Sequence, residues 1–152
     1  MLSFVMFHRP ALEALSWVIA RKQSRPSRQP APQGLKVAVI TTFVAGSEPI
    51  DMLTRTLKAM MENDDYPHDV WVLDESNDPE VQLICQHFGV HHFSRKGKPE
   101  YNTDGGQFAA RTKGGNHNAW YDAHGHEYDI VSQWDTDFVV KRGYLTKVLG
   151  YF

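Results

Sequence analysis

A continuous apolar and β-branched run, Lys36–Phe43 (KVAVITTF), constrains the fold of this chain more than any other segment. A strand that covers one face of a sheet alternates apolar and polar residues, whereas a strand buried on both faces of a parallel sheet does not. Neighbouring parallel strands need long crossover connections, usually helices. The run therefore predicts a first strand inside a largely parallel sheet.

The residues after this run alternate between helix and strand patterns. Ser47, Glu48 and Pro49 supply a cap, an acid and a first-turn proline for a helix whose apolar residues repeat at helical spacing. The other predicted elements are strands over Asp69–Asp74, Val90–Phe93 and Asp129–Trp134, and helices from Asp78 to Gly89 and from Gly114 to Ala123. A long polar loop covers residues 94–112. The pattern predicts an α/β domain over residues 35–152, with a mostly parallel sheet and flanking helices.

Residues 1–34 carry a different pattern. Residues 1–20 are apolar, but charges and a proline interrupt them, which argues against a bilayer span of about 20 apolar residues. From Pro10 onward the apolar positions suit a helix that lies on a membrane surface or docks on a partner, although ordinary packing produces the same stripe. Residues 21–34 read as a basic, proline-rich linker, whose charge suits either the cytoplasmic face of an anionic membrane or plain solvent.

The charge balance and the cysteine count exclude several classes. Lys and Arg number 16 and Asp and Glu 18, which gives a net charge of −2. Binding of nucleic acid through its phosphates needs a basic surface, so we expect no nucleic-acid partner. The single cysteine, Cys85, favours a reducing compartment and excludes an intramolecular disulfide. The eight histidines favour a polar surface over a zinc site, because His91 and His92 point to opposite faces of one strand.

Polar and acidic residues follow the predicted strands. In open α/β sheets ligands bind beyond the carboxyl ends of the strands, so these residues are expected to line one site. In Asp135-Thr136-Asp137, carboxylates at i and i+2 on extended backbone face the same side and can hold one hard cation, Mg²⁺ or Mn²⁺. The same two aspartates also suit a plain turn. A dinucleotide-binding Rossmann site is set aside, because the turn after the first strand has only Gly46.

Four motifs, in this order and spacing, resemble those of family 2 glycosyltransferases of the cellulose synthase type: VITTFVAGSEPIDMLTRTLKAM, YPHDVWVLDES, TKGGNHNAW and QWDTDFVV. The resemblance runs from about Lys36 to Phe152. It implies the Rossmann-like GT-A fold, a nucleotide-diphosphate-sugar donor, usually a UDP-sugar, and inverting transfer to a growing polysaccharide or other glycan. It further implies that the full-length enzyme is a membrane protein acting at the cytoplasmic face.

The resemblance also implies roles for particular residues. The nucleoside contacts would be Thr41, Thr42, Glu48 and Asp74. Lys113 and Asn116 would contact the phosphates or ribose, and Asp135 and Asp137 the metal and the diphosphate. The chain departs from the family pattern at Asp74-Glu75-Ser76, where two aspartates and a glycine are frequent, and at Gly115, where alanine is common.

Two parts of the family pattern are not found before Phe152: the later acid that acts as general base and the Gln/Arg/Trp acceptor motif. We therefore expect the chain to be the donor-binding piece of a longer enzyme, inactive without the remainder, with its general base beyond Phe152. The alternative is a non-catalytic module that binds a nucleotide or a metal and regulates a partner.

Overall fold

The computed structural model describes residues 12–19, 29–63 and 65–152. Four strands form one sheet: β1 (Val37–Phe43), β2 (Asp69–Asp74), β3 (His91–Phe93) and β4 (Ile130–Gln133). The helices after residue 29 are α2 (Ile50–Met61), α3 (Pro79–Phe88), α4 (Lys113–His124) and α5 (Tyr144–Leu149), and residues 12–19 are helical and are called α1. Two short 3₁₀ turns cover Pro99–Tyr101 and Gly125–Glu127. The prediction of an α/β fold is confirmed.

The sheet has the order β3-β2-β1-β4 and all its pairs are parallel. This parallel sheet with helices on both faces is consistent with a Rossmann-like fold. Six of the seven residues of β1 are buried, which confirms a strand covered on both faces. Because β1 pairs with β2 on one side and with β4 on the other, the strand order reverses beside β1.

Two apolar cores cover the two faces of the sheet. On one face, residues such as Val39 and Phe43 of β1 pack with Leu57 of α2, Val81 of α3 and Leu145 of α5. On the other face, a second cluster consists of Ala38, Ile40, Trp71, Leu73, Phe93, Ala119 and Trp120. Neighbouring residues of β1 thus face opposite cores, as the alternation of a strand requires.

The starts of the helices differ in how they are capped. Asp78 caps α3 by accepting from the Glu80 amide, and the Thr112 hydroxyl caps α4 by accepting from the Gly115 amide. The predicted cap of α2 is wrong: its N-cap position is Pro49, which has no side-chain acceptor, and Ser47 lies in the preceding turn. Glu48, expected as a first-turn acid, bonds elsewhere, as described below.

The N-terminal segment is described only in part. Residues 1–11 and 20–28, with much of the predicted surface helix and linker, lie outside the described residues. Residues 12–19 are helical and exposed, including Leu12, Leu15 and Trp17. Within the predicted linker, Ala31 packs into the core and the Gln29 amide donates to the Gly150 carbonyl at 2.8 Å, so the packed domain includes residues before 35. In the parts of the chain that are described, no helix has the length and apolar composition needed to cross a membrane.

Candidate functional site

A cleft lies at the carboxyl ends of β1 and β4, beside the point where the strand order reverses. It consists of two adjoining hollows of about 300 and 360 Å³ that share Thr42, Glu48 and Lys113. The smaller, called the Asp135 hollow, is completed by Met52, Asp135, Thr136 and Asp137. The larger, called the Arg111 hollow, is completed by Val44, Glu75, Arg111, Thr112 and Asn116. Sheets of this kind bind ligands at such a reversal.

The Asp135–Asp137 segment is a turn, closed by a 2.9 Å hydrogen bond from the Phe138 amide to the Asp135 carbonyl. The extended backbone predicted for it is wrong, because the strand ends at Gln133. Thr136 is buried between the two exposed aspartates, and the Thr56 hydroxyl donates to its carbonyl. Both carboxylates still line one hollow.

Glu48 fastens this turn to the loop that follows β1. Its Oε1 accepts a 2.7 Å hydrogen bond from the Thr136 hydroxyl, and its Oε2 accepts from the Val44 amide at 3.0 Å. Both carboxylate oxygens therefore have protein partners. Glu48 lines the cleft and at the same time determines its shape.

Lys113, the first residue of α4, forms an ion pair with Asp135 across the Asp135 hollow. About half of each side chain is exposed, so water screens the pair and an incoming charged ligand can compete for either partner. An anion would meet Lys113 together with the amino end of α4, where backbone amides favour negative charge. A cation would meet Asp135 and Asp137.

Asn116 lines the Arg111 hollow and has a buried side-chain oxygen without a donor among the described residues. The residue is 2% exposed, and its side-chain amide donates to the Leu73 carbonyl at 3.2 Å. Within the described residues its Oδ1 has no hydrogen-bond partner. Buried polar atoms are rarely left unpaired, so this oxygen is suited to accept a hydroxyl or N–H of a bound molecule.

Arg111 borders the same hollow in an uncommon backbone conformation. Its φ is 59°, in the left-handed region that residues other than glycine, asparagine and aspartate rarely adopt. Its guanidinium makes no hydrogen bond or ion pair with any other described residue. Strained backbone of this kind is concentrated at functional sites, where the surrounding structure holds it.

Two predicted residues do not line either hollow. Thr41 is fully buried on the face of Val39 and Phe43, opposite to the face of Thr42. Asp74 is also fully buried, and its carboxylate accepts hydrogen bonds from the Ser76 amide, the Asp78 amide and the His92 ring. The structure thus brings together Thr42, Glu48, Lys113, Asn116, Asp135 and Asp137, and it separates Thr41 and Asp74 from them.

Sequence reasoning did not select five residues that line the cleft: Val44, Met52, Arg111, Thr112 and Thr136. Glu75, one of the acids that follow the second predicted strand, also lines it. Sequence reasoning also passed over His117, which is buried one helical turn after Lys113 and has an unpartnered Nε2 among the described residues. Burial lowers the pKa of His117, the Lys113 charge lowers it further, and the Asp135 charge opposes both. The i, i+4 spacing from Lys113 was the available signal for this residue.

The cleft suits a metal ion that is shared with a ligand. No set of three or more His, Cys, Asp or Glu residues in the described segments is placed to hold an ion. The Asp135 hollow offers two carboxylates, Asp135 and Asp137. Mg²⁺ in proteins is commonly bound by one or two carboxylates together with ligand phosphates and water. The residues therefore fit Mg²⁺ or Mn²⁺ when a phosphate ligand completes the coordination.

Comparison of the sequence with models of protein families and with curated proteins found no match in either case. The glycosyltransferase resemblance therefore depends on the four motifs.

Proposed function

We propose that this chain is the donor-binding part of a family 2 glycosyltransferase with the GT-A fold. Its cleft would bind a nucleotide-diphosphate sugar, usually a UDP-sugar, together with Mg²⁺ or Mn²⁺. One observation carries the proposal: six of the eight residues selected through the motifs line a single cleft, although they come from three distant segments of the chain.

The chemistry of each hollow suits one part of such a donor. Lys113 and the amino end of α4 would bind the diphosphate, with Lys113 exchanging its Asp135 partner for a phosphate oxygen. Asp135 and Asp137 would hold the metal ion, which supplies positive charge that stabilises the departing diphosphate. In the Arg111 hollow, the Asn116 Oδ1 would accept from a ribose hydroxyl or a base N–H.

Inverting transfer also needs a base that takes the proton of the attacking acceptor hydroxyl. We assign that role to none of the cleft residues. In this proposal the base and the residues that bind the glycan acceptor lie in the remainder of the enzyme, and transfer takes place at the cytoplasmic face of the membrane.

Calorimetric titration of UDP and UDP-glucose, with and without Mn²⁺, tests the proposal. We expect binding that requires Mn²⁺ and that is lost in Asp135→Ala/Asp137→Ala. The matched control is Glu100→Ala/Asp104→Ala, which removes two acids that do not line the cleft and should leave binding unchanged. A folded wild-type chain that binds neither ligand would contradict the proposal. Metal-independent binding of UDP, with no contribution from the sugar, would favour the regulatory module instead.

A further inference from the structure

Arg95, two residues after β3, has a fully buried guanidinium. Its Nε and Nη2 donate to the two carboxylate oxygens of Glu75 at 2.9 and 2.8 Å. Burying a charge is costly unless it is paired and its remaining donors are satisfied. The arrangement therefore holds one geometry, in which Glu75, just after β2, is fixed to the second residue of the long loop.

The remaining donors of Arg95 fix the shape of that loop. Nη1 donates to the carbonyls of Tyr101, Phe108 and Ala109 at 2.9, 3.3 and 3.1 Å, and Nη2 donates to the Thr112 carbonyl at 3.1 Å. Three of these carbonyls have one further donor each: the Thr103 amide for Phe108, the Thr112 hydroxyl for Ala109 and the Asn116 amide for Thr112. Arg95 is nevertheless bonded to all four, and it joins three separate parts of the segment predicted as a polar loop.

The far end of this loop forms the wall of the cleft. Arg111 lies between two of the carbonyl groups that Arg95 holds, and Lys113 follows the second. Gly115 packs against the same place: a Cβ there would lie far inside contact distance of the Ala109 carbonyl oxygen and 2.7 Å from Arg95 Nη1, so the alanine that the resemblance implies at this position does not fit. No space is left between the first turn of α4 and the loop.

We propose that Arg95 is the positioning residue of the cleft. It acts through the 109–113 segment, which it holds so that Arg111 and Lys113 face an anionic ligand. It also neutralises Glu75, whose negative charge would otherwise repel an anionic ligand. The identity of the ligand rests on the proposed function, whereas the effect of Arg95 on the loop does not.

Arg95→Lys tests this role, because lysine keeps the charge but cannot donate from one planar group to both the Glu75 carboxylate and the loop carbonyls. The matched control is Arg142→Lys, which alters an exposed arginine paired with Glu62 at 3.7 Å. By hydrogen exchange without ligand, we expect amides of residues 96–112 to exchange at least about tenfold faster in Arg95→Lys, with β1 unchanged. The control should exchange like the wild-type protein.

UDP binding with Mn²⁺ gives the second measurement. We expect Arg95→Lys to weaken it about tenfold in the wild-type background and less than about twofold in a Lys113→Met background, since coupled residues are not additive. Gly115→Ala is a second variant, which pushes on the Ala109 carbonyl and on Arg95 Nη1 without changing any charge. It should reproduce both the faster exchange and the weaker binding, and it carries the test if Arg95→Lys does not fold.

Exchange in residues 96–112 that stays at the wild-type rate in both variants would overturn the role of Arg95. Losses of affinity that add in full to those of Lys113→Met would also overturn it, because Arg95 would then not act through the segment that bears Lys113. A wild-type chain that binds no UDP with Mn²⁺ would overturn the proposed function, and the exchange measurement would still decide the role of Arg95.

Discussion

The Thr136 hydroxyl donates a 2.7 Å hydrogen bond to the Glu48 carboxylate, although the two residues are 88 positions apart. The bond joins the loop after β1 to the turn after β4, and the second oxygen of Glu48 accepts from the Val44 amide. The two sides of the cleft are therefore connected through one acid. The position of Asp135 and Asp137 depends on this connection, since Thr136 lies between them.

Thr136→Val removes the hydroxyl and keeps the shape of the side chain. We expect a loss of about 1 kcal/mol of unfolding free energy, because the lost hydrogen bond is to a charged but partly exposed group. We also expect Mn²⁺-dependent UDP binding to weaken about five- to tenfold, since the turn loses its anchor. Urea unfolding and calorimetry measure the two effects. Thr146→Val, which removes a 3.0 Å bond to the Asp65 carbonyl away from the cleft, should affect stability alone; equal losses of affinity in both variants would contradict the prediction.

Lys113→Met should change two affinities in opposite directions. Without Lys113, Asp135 loses its ion-pair partner, so we expect Mn²⁺ alone to bind up to about fivefold more tightly, the range of an exposed pair. UDP with Mn²⁺ should bind about tenfold more weakly, because the diphosphate loses a charged hydrogen-bond donor. Titration calorimetry measures both. The control Lys147→Met alters an exposed lysine outside the cleft, and a shift of both affinities in the same direction would refute the assigned role.

Asp74→Asn should destabilise the fold whether or not a ligand is present. The buried carboxylate accepts from two backbone amides and the His92 ring, and an amide side chain would turn a donor toward one of these groups. We expect a loss of about 3 kcal/mol in urea unfolding at pH 7. Asp78→Asn is the matched control, because asparagine caps a helix as well as aspartate and the loss should stay below about 0.5 kcal/mol. Equal stabilities of the two variants would contradict a structural role for the Asp74 carboxylate.

Arg111→Gly should make the protein more stable and lower the affinity of the cleft for UDP. Glycine adopts a φ of 59° without strain, so we expect a gain of about 0.5–1 kcal/mol in unfolding free energy. UDP affinity should fall about fivefold, because a guanidinium that could pair with an anionic ligand leaves the wall of the Arg111 hollow. The control Asn77→Gly replaces the other non-glycine residue with a positive φ among the described ones, where asparagine is tolerated, and should change neither quantity by much. A less stable Arg111→Gly protein would show that the side chain itself stabilises the loop.

Cys85 should be unreactive in the folded chain. Burial raises the pKa of its thiol to about 12, and the nearby Asp74 charge adds to the effect. The folded state therefore favours the neutral thiol; its contribution to stability is present below the ordinary pKa of 9.0 and is lost as the pH rises toward 12. At pH 8 we expect alkylation by iodoacetamide to be at least about 100-fold slower in buffer than in urea. Because this is the only cysteine, mass spectrometry of the intact chain reports it directly, and equal rates would contradict the burial.

The strands could be predicted to within about one residue because their burial leaves a direct mark in the apolar pattern. β1 begins at Val37 and β4 runs Ile130–Gln133, against predictions of Lys36 and Asp129–Trp134. α5, over Tyr144–Leu149, was not predicted, since six residues are too few to show a helical period. Residues 94–112 form the predicted loop apart from one 3₁₀ turn. The burial of Arg95 inside it could not be predicted, because arginine is normally solvated and its pairing with Glu75 leaves no pattern in the sequence.

The part of the site that follows from the parallel arrangement of the strands could be predicted from the sequence. Carboxyl ends of parallel strands share one edge, which is why Thr42, Lys113 and Asp135 lie close together. Thr41 and Thr42 could not both face the cleft, and strand alternation already implied that one would lie in the core. The Asp74 carboxylate accepts hydrogen bonds from the amides two and four residues later, in the turn that follows β2. Aspartate commonly forms such turns, so the sequence could have indicated this role.

The pairing of β1 with β4 also determines when the cleft can form during synthesis. Ile40 of β1 pairs with Gln133 of β4, whereas its partner on the other side, Trp71, emerges from the ribosome much earlier. The roughly 55 residues between the end of β2 and the start of β4 take about 3–11 s to translate at ordinary rates, and during that time one edge of β1 has unpaired amides and carbonyls. The nascent chain thus exposes a β-edge beside the unfinished cleft, where chaperones or other nascent strands can bind before β4 closes it.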